Sequence, residues 1–188
     1  MKKIPTLFER EFNKAHGIVA IRPNVTPGME WVIDGEGTAT IKIDGSCCAI
    51  IDGVFYKRYD AKRGRTPPEN AIPCCDPDPV TGHWPHWVPV DKKNPGDKWF
   101  VVAQQHSGIA TDGTYEAIGP HFCGNPYRLD VDIIERHGTR VLTDVPRDFD
   151  GIREYLRTHA IEGIVFWKDG MPQCKIKRSD YGYKWPIV

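Results

Sequence analysis

The stretch from Thr38 to Asp60, TATIKIDGSCCAIIDGVFYKRYD, constrains the fold more than any other. Thr38, Thr40 and Lys42 alternate with Ala39, Ile41 and Ile43, the period-two pattern of a half-buried strand. Gly45 allows a backbone geometry closed to other residues, so a sharp turn is expected there. Ser46 to Ile51 forms a second, more apolar run. Asp52-Gly53 is a strong hairpin signal, and Val54 to Tyr59 is rich in aromatic and β-branched residues. The stretch predicts an antiparallel meander with Lys42 near a strand end and Asp44 close by. On its own, Lys-x-Asp-Gly is common, and most examples are a surface strand running into a turn.

The flanking sequence predicts an α+β fold, mostly antiparallel sheets with flanking helices, as one domain over residues 1–188. Leu7 to Ala15 reads as a helix, with Thr6 and Glu9 as a capping box and Gly17 as its stop. Val19 to Arg22 and Trp31 to Ile33 read as short strands. Gly64 to Asp97 is dense in Pro, Gly, Asp and His and reads as a long loop. Its His83, Trp84, His86 and Trp87 suit a metal or base-stacking role, but packing of the long loop is the preferred reading. Lys98 to Gln104, Tyr115 to Ile118 and Arg140 to Thr143 read as strands, while Leu129 to Arg136 fits strand or helical turn. Asp148 to His159 is the clearest helix: Phe149, Ile152, Tyr155, Leu156 and Ala160 recur at helical spacing behind a capping Asp148. Strands are expected at Ile161 to Trp167 and Gln173 to Lys177, joined by Asp169-Gly170.

Charge bounds the function. Lys+Arg and Asp+Glu both number 25, so a role in nucleic-acid binding must rest on local patches. Two exist: Lys57, Arg58, Lys62, Arg63 and Arg65, and then Lys175, Lys177 and Arg178. No apolar run is long enough to cross a membrane, and the first residues lack a signal-peptide core, so a cytoplasmic protein is expected. The six cysteines include no CxxC, which argues against a zinc site; reduced, mostly buried thiols are expected.

Four features then stand in order: Lys42-Ile-Asp44-Gly45, Glu116, Glu162-Gly163 and Lys175-Ile-Lys177. With YKRYDAKRG after the first and EGIVFW and KIKR at the end, the chain resembles the covalent nucleotidyltransferase superfamily of RNA ligases, DNA ligases and messenger-RNA capping enzymes. The motifs run from Lys42 to Arg178, about three-quarters of the chain. GEGTATIKIDGS, IDGVFYKRYDAKRGR and TGHWP further resemble small ATP-dependent RNA 5′-to-3′ ligases. The resemblance implies a nucleotidyltransferase (ATP-grasp-like ligase) domain. With eleven residues after Lys177, the OB domain of DNA ligases and capping enzymes is not expected. Orientation of the pyrophosphate would then fall to another basic residue, for instance from the 57–65 stretch.

The residue types suit that chemistry. A lysine amine, with a pKa of about 10.4 when free, attacks phosphorus only after losing its proton, which nearby positive charge or desolvation favours. The resemblance implies Lys42 as the nucleophile toward ATP, and Lys175 and Lys177 as neutralisers of the α-phosphate. It implies Asp44 and Glu162 as carboxylates for hydrated Mg2+, or Mn2+, and Glu116 and Arg58 as contacts to the nucleotide. Lys62, Arg63 and Arg65 are candidates for contacts to RNA carrying 5′-phosphate and 3′-hydroxyl ends. Alternatives are another lysyl-NMP enzyme (a DNA ligase or capping guanylyltransferase) or a non-catalytic nucleotide- or RNA-binding module.

Overall fold

The computed structural model describes residues 3–13, 18–61, 65–79 and 82–187. In chain order its elements are β1 (Phe8–Phe12), β2 (Ile18–Val25), α1 (Glu30–Ile33), β3 (Thr38–Ile41), β4 (Ser46–Ile51), β5 (Val54–Ala61), β6 (Ile72–Pro73), β7 (Trp84–Pro89), α2 (Lys98–Ser107), β8 (Gly113–Ile118), β9 (Ile133–Arg136), β10 (Val141–Leu142), α3 (Phe149–Thr158), β11 (Gly163–Lys168) and β12 (Met171–Lys177). The architecture is mixed, mostly antiparallel strands with few helices. Two compact units divide it, one from Asp44–His137 and the other from Ile4–Ile43 with Gly138–Val188. No helix among the described residues is long and apolar enough to cross a membrane.

The unit holding Lys42 carries a four-stranded sheet of order β10-β3-β11-β12 and the β1-β2 pair. Alternation along β12 buries Cys174 and Ile176 in its core, where they meet Ile164, Phe166, Ile152 and Leu156. α3 supplies the last two on its apolar face, and its capping Asp148 accepts a hydrogen bond from Gly151 N–H at 2.8 Å. Leu7 to Asn13 is not helical. Leu7 and Phe8 are buried, Leu7 N–H donates to Lys175 O, and β1 pairs with β2, so sheet partners outweigh the local capping signal. Ala15 and Gly17 lie outside the described residues. Trp31 to Ile33 falls in the short helix α1 rather than in a strand, with Val32 turned into the core.

The other unit carries a six-stranded sheet of order β6-β7-β5-β4-β8-β9. One face buries Cys48, Ile50, Tyr115 and Ala117 against Ala103 of α2; the other carries Ala49, Tyr56 and Trp87, with Cys47 beside them. The Asp52-Gly53 turn forms as expected, both residues at positive φ, with Asp112 accepting from both backbone N–H groups. Three expectations fail here. Lys98 to Gln104 belongs to a helix, ended by Gly108 in the left-handed region, whose N–H bonds Gln104 and Gln105. The long loop contains β6 and β7, with His86, Trp87 and Val88 buried. The meander is also interrupted: β3 pairs with β10 and β11, while β4 pairs with β5 and β8, so the chain changes sheets between them.

The thiols are less buried than expected. All six are free, but only Cys48 and Cys174 are fully buried, and Cys123 is exposed. The second basic patch also loses a member. Arg178 is buried, and its guanidinium donates to Leu156 O, to His159 O at 2.8 Å and to Lys184 O at 3.1 Å, closing the C-terminal end of α3. Arg178→Ala should therefore lower unfolding free energy by roughly 2–3 kcal/mol, the scale of losing a charged buried donor. Urea denaturation checks this; a midpoint equal to that of the unsubstituted protein would return Arg178 to the surface patch.

Candidate functional site

β11 lies between β3 and β12, and this brings four of the expected residues together. Lys42 follows β3, and its backbone N–H donates to Gly163 O at 2.8 Å. Gly163 in turn pairs with Lys177, and one step along Val165 pairs with Lys175. Lys42, Lys175 and Lys177 therefore share the sheet face opposite the core residues Cys174 and Ile176. Glu162, just before β11, accepts a hydrogen bond from Lys42 Nζ at 2.5 Å; both side chains are largely covered, 23% and 13% exposed. Glycine is required at 163 for packing: a Cβ there would stand 2.3 Å from Ile176 O. Three lysines on one face, one of them paired with Glu162, suit an anionic polyphosphate. A half-buried carboxylate beside such a surface also fits Mg2+, which takes one or two carboxylates plus waters and phosphate oxygens.

Asp44, Arg58 and Glu116 belong to the other unit. Asp44 N–H donates to the Tyr127 hydroxyl at 2.7 Å. Gly45 is needed for close approach and not for a left-handed turn: a Cβ would meet Ala117 O at 2.2 Å. Glu116 is buried on β8, paired across the ladder with Cys47 of β4. Cys48 pairs with Lys57, so Arg58 of β5 stands across from Cys47 on its other side. Arg58, Cys47 and Glu116 thus form one row across three strands. Arg58 Nε donates to Asp60 Oδ1 at 2.7 Å. Burial works against the Arg58 charge, but Asp60 and then Cys47 more than offset it and hold the guanidinium charged.

Two members of this row were missed in the sequence. His137 Nε2 lies 2.8 Å from Glu116 Oε2, and the Cys47 thiol is pushed up to about 12 by burial and then by Glu116. His137 follows β9, whose start at Ile133 the ambiguous run Leu129 to Arg136 hides. Once β9 is placed, Glu135 and His137 at alternate positions flank Glu116.

The 57–65 patch is partly neutralised. Lys57 pairs with Asp97 and Arg58 with Asp60, while Arg65 is exposed. Lys62 and Arg63 lie outside the described residues. Trp84 and His86 act in packing: Trp84 Nε1 donates to Cys75 O at 2.7 Å and His86 Nδ1 contacts Trp84 O at 2.9 Å.

No family model matches the chain. Among curated proteins the chain is similar to RNA ligase 1 of Danio rerio, with 30% identity over 140 residues, covering 57% of this chain and 43% of that protein. The chain thus spans less than half the length of the curated relative it matches. The similarity points to a relationship with RNA ligases.

Proposed function

We propose that the protein is an ATP-dependent RNA ligase that works through a covalent lysyl-AMP on Lys42. The observation that carries this reading is the Lys42–Glu162 pair at the edge of a lysine-bearing sheet face, in a chain similar to an RNA ligase. Lys42 Nζ attacks the α-phosphorus of ATP; an N–P bond forms, the bond to the β-phosphate oxygen breaks, and pyrophosphate leaves. Before attack the Nζ ammonium gives one proton to solvent water, which leaves a neutral amine and Glu162 still a carboxylate. Lys175 and Lys177 meet the charge that builds on the α-phosphate. Glu162 and Asp44 are the carboxylates offered to magnesium, which when bound supplies further charge neutralisation along the phosphates. Glu116, steadied by His137, contacts the ribose, and Arg58 the nucleotide. An RNA 5′-phosphate oxygen then displaces lysine from the AMP phosphorus, and a 3′-hydroxyl displaces AMP from the activated end.

The test is incubation with ATP, magnesium and end-labelled RNAs bearing 5′-phosphate or 5′-hydroxyl ends. Adenylated and joined products are expected only from 5′-phosphate RNA. No adenylated or joined product from 5′-phosphate RNA, or equal joining of 5′-hydroxyl RNA, would contradict the reading.

RNA affinity at zero formal net charge must come from local cations. Each phosphate contact on a single strand contributes a salt slope of about −0.7. The double variant Lys62→Ala/Arg65→Ala should weaken RNA binding and flatten that slope by about one or two units, leaving the AMP adduct intact. Titrations across a salt series measure this; equal slopes would place the RNA elsewhere, as on the Lys175–Lys177 face.

A further inference from the structure

We propose that Cys47, Glu116 and His137 form a binding site for a borderline-soft divalent cation, zinc or cobalt(II). A sulfur, a carboxylate oxygen and a ring nitrogen from these three residues lie within 4.8 Å of one another. They come from β4, β8 and the residue after β9, three neighbours in one sheet. Cys47 and Glu116 are direct ladder partners, and His137 N–H donates to Thr114 O at 3.1 Å, which puts His137 on the same face as Glu116. The paired strands therefore hold three backbones in fixed relation, leaving only side-chain rotation to close the site. His137 Nε2 meets Glu116, while its Nδ1 is buried with no hydrogen-bond partner among the described residues.

The donor set decides the ion. Thiolate, imidazole and carboxylate together select zinc or cobalt(II) over magnesium or calcium, which prefer oxygen alone. Bond lengths of about 2.0–2.3 Å put donors of a tetrahedral site about 3.3–3.6 Å apart. Closing from 4.8 Å requires a shift of about 1 Å, and the Glu116–His137 contact opens slightly. As the sulfur–metal bond forms, the thiol proton passes to solvent. Without metal, burial and the Glu116 carboxylate hold Cys47 as a thiol, and Arg58 beside it is the local charge opposing a cation. Thiolate and carboxylate together balance the charge of the ion. Three protein donors leave a fourth position for water or another small ligand. The absence of CxxC does not bear on this site, because its ligands are adjacent through strand pairing and not through sequence.

The whole chain, reduced and free of nucleotide, is titrated with cobalt(II). A near-ultraviolet thiolate-to-cobalt band is expected, saturating at one equivalent and displaced by one equivalent of zinc. Cys47→Ser should remove the band and weaken zinc binding by at least about tenfold, and His137→Ala should weaken it similarly while keeping some sulfur absorption. Cys123→Ser, at an exposed thiol outside the cluster, should change neither. Circular dichroism of each variant separates ligand loss from unfolding. No sulfur band in the unsubstituted protein, or one that survives in folded Cys47→Ser, overturns the site. A functional arm rests on the proposed role of Glu116: zinc occupancy should compete with ATP in forming the AMP adduct. Zinc binding without such competition keeps the metal site and overturns only the placement of Glu116 at the ribose.

Discussion

Lys42→Ala should form no AMP adduct, with single-turnover adenylylation reduced at least ~10³-fold, about 4 kcal/mol of barrier. Lys42 is held just after β3, its backbone N–H tied to Gly163 O and its Nζ on Glu162. The substitution removes a partly exposed side chain just after β3 and none from the core, so the fold should survive. Lys42→Arg keeps the charge and the pairing with Glu162 but offers no nucleophilic amine, and should fail equally. ATP binding should persist in both variants, because Lys175 and Lys177 remain on the same face. Phosphate-labelled ATP followed by denaturing gels measures the loss. An adduct formed by Lys42→Ala at the unsubstituted rate would remove Lys42 from the reaction.

Glu162→Gln should slow adenylylation by about 100-fold, near 2.7 kcal/mol, with little change in melting temperature. The amide keeps the shape and can still accept a hydrogen bond from Lys42, but it loses the negative charge that pairs with Nζ and suits a hydrated cation. The residue lies before β11 and contributes its backbone carbonyl to Arg178 N–H at 2.9 Å, a bond the substitution leaves untouched. Single-turnover kinetics with excess ATP isolate the chemical step. A rate within about twofold, less than ~0.5 kcal/mol, would mean that the Glu162 charge is not used.

The cluster around Lys42 was legible because its parts have short-range signatures. Glu162-Gly163 and the alternation of Lys175 and Lys177 with Cys174 and Ile176 state which face each residue takes, and Asp169-Gly170 states how the two strands join. α3 was legible for the same reason, through its cap and its apolar spacing. What could not be read depends on partners far away in sequence. Leu7 and Phe8 carry a helix-start pattern but are claimed by strands at Lys175 and Val25. Trp99 to Val102 look strand-like, yet the turn before them and Gly108 after them close a helix. Trp84 to Pro89 sit among prolines, and only pairing with β5 and β6 makes them a strand. Between Ile41 and Ser46 the chain leaves one sheet for another, which no local pattern marks. Cys47 and His137 are 90 residues apart, and strand pairing alone brings them to Glu116 and to each other.

The most direct test of the account is to incubate the protein with ATP and magnesium, digest it and locate the added AMP by tandem mass spectrometry. The account predicts a single AMP on the peptide containing Lys42, removed by added pyrophosphate and passed on to 5′-phosphate RNA. AMP on another residue, such as Lys175 or Lys177, or no covalent AMP in a protein that still joins RNA, would contradict it.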